Sequence, residues 1–158
     1  MKQLCNNAIL CNGKYKIERV LGQGGFGITY LAKQKVSVAG ALGTIDAEIE
    51  VTIKEFFMKE LCNRDEASSM VTVPSTGSAD LVEKFRLKFI KEAKNISKLT
   101  HPYIIKVLDV FEENGTAYYV MEYIDGGSLS DLIEKKDSLS EEETLKYTRQ
   151  IASALQYI

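Results

Sequence analysis

Between Leu81 and Thr100 the apolar residues Leu81, Phe85, Phe89, Ala93, Ile96 and Leu99 recur at helical spacing, so this stretch predicts one amphipathic helix with a single buried stripe. Asp80 is placed to cap its start, with Glu83 following at the capping-box position. A second helical stripe runs through Leu145, Thr148, Ile151, Ala152, Leu155 and Ile158, behind a capping-box pair formed by Ser140 and Glu143. Other segments alternate instead. Val51-Thr52-Ile53-Lys54 reads as a strand with Val51 and Ile53 on one face and Thr52 and Lys54 on the other. Ile104 to Glu113 and Thr116 to Tyr123 read as strands joined by Asn114-Gly115, a pair suited to the positive φ angles of a tight hairpin.

Leu21-Gly22-Gln23-Gly24-Gly25-Phe26-Gly27 is a glycine-rich turn between apolar residues. Without side chains its backbone can bend sharply and bring N–H groups close to phosphate oxygens. A dinucleotide-binding loop would open a helix after Gly27, but Ile28-Thr29-Tyr30-Leu31 is β-branched and aromatic and predicts a strand. A P-loop is excluded because the turn lacks a terminal Gly-Lys-Ser or Gly-Lys-Thr. The order is therefore strand, glycine turn, strand, lysine.

That order resembles the start of a protein kinase domain of the eukaryotic-like bacterial serine/threonine kind. Phe89-Ile90-Lys91-Glu92-Ala93, followed by Leu99-Thr100-His101-Pro102, is similar to the kinase C-helix and its exit turn, and Tyr119 to Leu129 is similar to the kinase hinge. Glu55 to Cys62 also looks like a subgroup of bacterial serine/threonine kinases. The fold implied is α+β: a kinase-like N-terminal lobe with a five-stranded antiparallel sheet and a C-helix, then two helices of a C-terminal lobe. The corresponding divisions are residues 1–14 as an N-terminal extension, 15–124 as N-terminal lobe and hinge, and 125–158 as the beginning of the C-terminal lobe.

The resemblance implies ATP, with Mg2+, as the ligand. Lys54 takes the place of the catalytic lysine on the phosphates and Glu92 that of its ion-pair partner. Nucleotide contacts are implied for Leu21, Gly22, Gly24, Gly25, Phe26, Gly27, Thr29, Thr52 and Lys54, and in the hinge for Met121, at the gatekeeper position, Glu122, Ile124 and Ser128. Thr29 and Thr52 depart from the valine and alanine usual in the family, which adds polarity to an apolar slot and predicts weaker or altered purine binding. Neither His-Arg-Asp nor Asp-Phe-Gly occurs, so the chain alone is expected to show no turnover and to offer no metal ligands. A protein substrate is expected for the complete kinase. Alternatives are a non-catalytic kinase-like binding or scaffolding module and a small-molecule kinase.

At 158 residues, 45% hydrophobic and 27% charged, the chain can bury a core. A net charge of −2 creates no field for nucleic acid or an anionic membrane. Lys84 to Lys91 reads as the wet face of a helix. The N-terminal apolar run is too short for a signal peptide and no stretch could span a bilayer, so a cytoplasmic location is expected. Cys5, Cys11 and Cys62 are widely spaced and read as free thiols, and His101, the single histidine, reads as structural. Gln34 to Glu48 and Asn63 to Ser78 enlarge two connections as mobile loops or an extended hairpin, with Pro74 and Gly77 favouring loop over helix. The stripe from Leu145 to Ile158 is expected to favour self-association, because it lacks the surface a kinase E-helix normally buries.

Overall fold

The computed structural model describes residues 2–40 and 43–158. Its main sheet has six antiparallel strands in the order β1-β2-β3-β4-β8-β7. These are β1 (Ile9–Leu10), β2 (Tyr15–Gln23), β3 (Gly27–Gly40), β4 (Gly43–Phe56), β7 (Val107–Glu113) and β8 (Thr116–Glu122). The five strands expected from the sequence are present; the sixth, β1, is a short edge strand supplied by the N-terminal extension. A separate two-stranded sheet, β5 (Asn63–Arg64) and β6 (Val71–Thr72), lies in the connection between β4 and helix α1 (Thr76–Ile96). Helices α2 (Leu129–Lys136) and α3 (Glu141–Tyr157) complete the chain.

The period-two alternation sorts the central strands into two faces. Val51, Ile53 and Glu55 of β4 lie beside Ala32, Tyr30 and Ile28 of β3, and Ile53 and Glu55 also pair with Val120 and Tyr118 of β8; all are fully buried. Leu4 and Leu10 join the same apolar cluster, and the Leu4 N–H donates to the Tyr30 hydroxyl at 3.0 Å. The N-terminal extension is thus packed into the fold. On the opposite face, Phe89 of α1 contacts Phe56 and Tyr119, with ring centroids 5.7 and 4.9 Å apart.

Helix α1 starts earlier and ends sooner than its apolar stripe suggests. Its N-cap is Ser75, so Asp80 lies inside the helix and Gly77 and Ser78 belong to its first turn rather than to a loop. The Ser75 side chain makes no capping hydrogen bond, and Ser78 rather than Glu or Gln follows three residues on, so the capping-box pattern falls at Asp80 and Glu83 instead of at the true start. The buried positions are Val82, Ile90 and Ala93, whereas Leu81 is 46% exposed: the helix packs along a line one residue away from the predicted one at its N-terminal end. Of the enlarged connections, 34–40 and 43–48 extend β3 and β4, paired in continuous register from Gly27↔Phe56 to Gly40↔Gly43, while Ala41 and Leu42 lie outside the described residues. Strand β7 begins at Val107, three residues later than expected, and Asn114 and Gly115 turn with φ of 53° and 68°.

Helices α2 and α3 both begin with capping boxes, Ser128 with Asp131 and Ser140 with Glu143. His101 joins α3 to the turn leaving α1, through Ser153 Oγ at 3.1 Å and a stacked Tyr157 ring at 5.2 Å. Along α3 the stripe expected to self-associate is largely exposed: Ile151 at 55%, Leu155 at 68% and Ile158 at 77%, with Ala154 the buried residue. No described helix is long and apolar enough to cross a membrane. The three cysteines are free thiols.

Asp109 on β7 ties the N-terminal extension to the far edge of the sheet: its Oδ2 accepts from Lys14 Nζ and from the Tyr15 hydroxyl, each at 2.7 Å. Burial alone would raise this carboxyl, but those two donors outweigh it and hold it below the usual 3.8. A carboxyl depressed on folding adds stability above its unfolded pKa and loses it as pH falls through its folded pKa. Asp109→Asn should therefore lower the urea midpoint at neutral pH, with the deficit shrinking below the ordinary aspartate range. A deficit independent of pH would contradict the linkage.

Candidate nucleotide-phosphate cleft

The register carries each site residue to its place. Thr29 and Lys54 are paired across β3 and β4, and Lys54 is paired with Tyr119 on β8, so all three share the face that α1 covers. The glycine turn closes one end. The Gly24 N–H donates to the Gly27 carbonyl at 2.9 Å, while Phe57 N–H and Lys59 N–H donate to the carbonyls of Phe26 and Gly25 at 3.0 and 3.2 Å. The turn is thereby tied from behind to the segment leaving β4. Gly27 has no room for a side chain, because a Cβ there would lie 2.6 Å from the Glu55 carbonyl oxygen.

Between turn, strands and helix lies a cleft of about 670 Å³. Of the residues singled out in the sequence, Gly22, Gly24, Gly25, Phe26, Gly27, Thr29, Lys54 and Glu92 line it. Lys54 is half-buried and its Nζ sits 5.7 Å from the centre of the Tyr119 ring. Glu92 is exposed on α1. Both face the same cleft, but among the described residues no ion pair joins them. The lysine rests against an aromatic face, and the helix carboxylate stays in solvent.

The remaining nucleotide-contact candidates, Leu21, Thr52, Met121, Glu122, Ile124 and Ser128, do not line this cleft. Thr52 is buried and paired with Met121 across β4 and β8. Ile124 is 63% exposed, and the Glu122 carboxylate accepts from Lys106 N–H at 3.0 Å. The Ser128 hydroxyl is committed to the α2 cap: it accepts from Asp131 N–H at 3.1 Å and donates to Asp131 Oδ2 at 2.7 Å.

Sequence reasoning missed Gln23, Phe56, Phe85, Phe89 and Lys88 as cleft residues. Phe26 at the tip of the turn contacts Phe85 of α1, ring centroids 5.4 Å apart, and Lys88 Nζ lies 5.5 Å from the Phe85 ring. Lys88 stands one helical turn before Glu92, a spacing that places both on one face and was available in the sequence. Two lysines beside a glycine-rich turn suit a ligand with several negative charges. Among the described residues no cluster of histidine, cysteine, aspartate or glutamate could hold a metal ion.

Comparison with known proteins agrees with the fold. Residues 15–158 match the protein kinase domain family. The chain is 31% identical over 144 residues to the serine/threonine-protein kinase PrkC of Bacillus subtilis, covering 91% of this chain and 18% of that protein. It is 30% identical over 125 residues to protein kinase kin1 of Schizosaccharomyces pombe, covering 76% and 14%. Among solved structures, the apo form of PpkA-294 superposes with a TM-score of 0.70 at 25% identity, covering 85% of this chain and 43% of that one. The kinase domain of Mycobacterium tuberculosis PknI shares the fold, with a TM-score of 0.64 at 22% identity, covering 98% and 50%. The chain belongs to the protein kinase domain family, and its sheet with α1 forms a kinase N-terminal lobe. It spans less than one fifth of the length of either of these curated relatives.

Proposed function

We propose that the cleft holds the phosphates of ATP and that the chain is the nucleotide-binding part of a serine/threonine protein kinase. The observation that carries this reading is the convergence of Gly22, Gly24, Gly25, Gly27, Lys54 and Glu92 on one cleft from three separate segments of sequence. Lys54 would engage phosphate oxygens as a compact cation, and the glycine turn would approach them with its backbone. Gly27 lets β3 pass close to the Glu55 carbonyl of β4 at the root of the turn. Bound ATP supplies the γ-phosphoryl group that the complete kinase transfers to a protein hydroxyl. With no His-Arg-Asp or Asp-Phe-Gly in the sequence, the reading assigns this chain neither the base nor the Mg2+ ligands, and expects no turnover from it alone.

Titration with a fluorescent ATP analogue tests the assignment. The unsubstituted chain should bind, and Lys54→Met should weaken binding about ten-fold, the loss expected for one charge-assisted contact. Equal affinities would remove Lys54 from the site. No binding by the unsubstituted chain would leave the non-catalytic binding module, which the absent Lys54–Glu92 ion pair favours.

A further inference from the structure

Glu55 follows Lys54 directly and points to the other face of the sheet, where its carboxylate is fully buried. Its Oε2 accepts from the Tyr30 hydroxyl at 2.7 Å, and its Oε1 accepts from the Tyr118 hydroxyl at 2.8 Å and from Arg64 Nη2 at 2.6 Å. Arg64 is equally enclosed, the two side chains being 2% and 0% exposed. Its Nη1 donates to the Ser69 carbonyl at 2.8 Å, its Nε donates to the Lys2 carbonyl at 3.0 Å, and its guanidinium lies 5.3 Å from the Phe57 ring centre. Both phenols are pushed above the ordinary tyrosine pKa, by burial first and then by the Glu55 charge, so they remain donors. The network joins the N-terminal extension, β3, β4, β5 and β8 behind the residue that faces the cleft.

Lys54 needs such an anchor because it sits where the ladder runs out. The β4–β8 pairing stops at Glu55↔Tyr118 and β4 itself stops at Phe56. Strand ends open locally more readily than strand centres. Successive side chains of a strand point to opposite faces, so fixing the rotation of the strand at Glu55 fixes the direction in which Lys54 leaves it. The backbone carbonyl of Glu55 also closes on Gly27, so the same residue sets the spacing between the lysine strand and the glycine turn. A buried ion pair can often be exchanged for an apolar pair without loss of stability; what it supplies is one discrete geometry.

We propose that the Glu55–Arg64 ion pair is a positioning device for Lys54, holding the lysine in the cleft from the reverse side of the sheet. The inference rests on the reading that Lys54 contacts nucleotide phosphate. Its test separates the two claims.

Lysines of the whole chain are converted to ¹³C-dimethyl-lysine, and the Lys54 resonance is assigned by its loss in Lys54→Met. In the parent chain that resonance should carry a ring-current shift from Tyr119. In Glu55→Met/Arg64→Met, which leaves the Tyr30 and Tyr118 hydroxyls without their acceptor, the urea midpoint should fall below the parent value with the chain still folded in water, while the shift collapses towards that of an exposed lysine. Affinity for the fluorescent ATP analogue should fall about ten-fold, as in Lys54→Met. Tyr118→Phe, which removes one of the three donors to Glu55, should show an intermediate shift. A folded double variant with an unmoved Lys54 resonance overturns the proposal. Should the double variant fail to fold, an unmoved resonance in Tyr118→Phe does so. Absence of nucleotide binding in the parent chain would end the ATP reading and leave the resonance test intact.

Discussion

Arg64→Ala is expected to destabilise the chain by about 3–5 kcal/mol, the range for removing one partner of a buried ion pair. The loss is large because of what remains. Glu55 would keep two phenol donors but lose the guanidinium that faces its Oε1 in an enclosed site. For a chain of this size the melting temperature should fall by roughly 6–20 °C. The exposed pair Lys33–Glu18, at 3.0 Å with side chains 40% and 30% exposed, provides the contrast. Water screens it, so Lys33→Ala should cost far less than Arg64→Ala. Urea unfolding of both variants checks the ordering, and equal losses would show that water reaches Glu55.

Gly27→Ala is expected to cost about 1–3 kcal/mol and to abolish most nucleotide affinity. The added methyl would meet a backbone carbonyl at 2.6 Å, so no rotamer change relieves the contact. Strands β3 and β4 must separate at Gly27↔Phe56, which moves the glycine turn away from Lys54. Gly22 is different, since a Cβ there meets nothing within 4 Å. Gly22→Ala should leave stability within about 0.5 kcal/mol of the parent, as for surface substitutions generally. Unfolding and nucleotide titration of the two variants should separate a packing requirement from a ligand requirement. Equal stability would mean that the strand pair yields without cost.

The features legible in the sequence were those whose physics is local. Asn114-Gly115 specifies its hairpin through the φ angles it tolerates, and Ser140 with Glu143 marks the start of α3. Alternation put Lys54 and Thr52 on one face, and helical spacing turned Glu92 towards the same region, so the convergence of Lys54 and Glu92 on one cleft was readable. What escaped depends on tertiary contact. Leu4 and Leu10 show no periodicity, yet both are core residues. Glu55 and Arg64 are charged, and such side chains are rarely buried unless paired; their burial becomes intelligible only when each meets the other and Tyr30 and Tyr118 arrive from other strands. The start of α1 was hidden because Ser78 rather than Glu or Gln follows Ser75 by three residues and Gly77 is a poor helix former. Lys54 lying over Tyr119 rather than against Glu92 is a choice between two neighbours, and spacing cannot rank them.

The family match begins at Tyr15, but the packed core begins upstream of it. A chain trimmed to that homology boundary would lose the Leu4 amide on Tyr30, the Lys2 carbonyl on Arg64 and the Cys11 amide on Glu113. It would also uncover the cluster that Leu4 and Leu10 close. The span matched by the family model and the packed core therefore have different edges in this protein. Residues 2–12 lie outside the span of the family model, yet they hold the reverse side of the sheet together, so trimming to that span would cut into the packing rather than beside it.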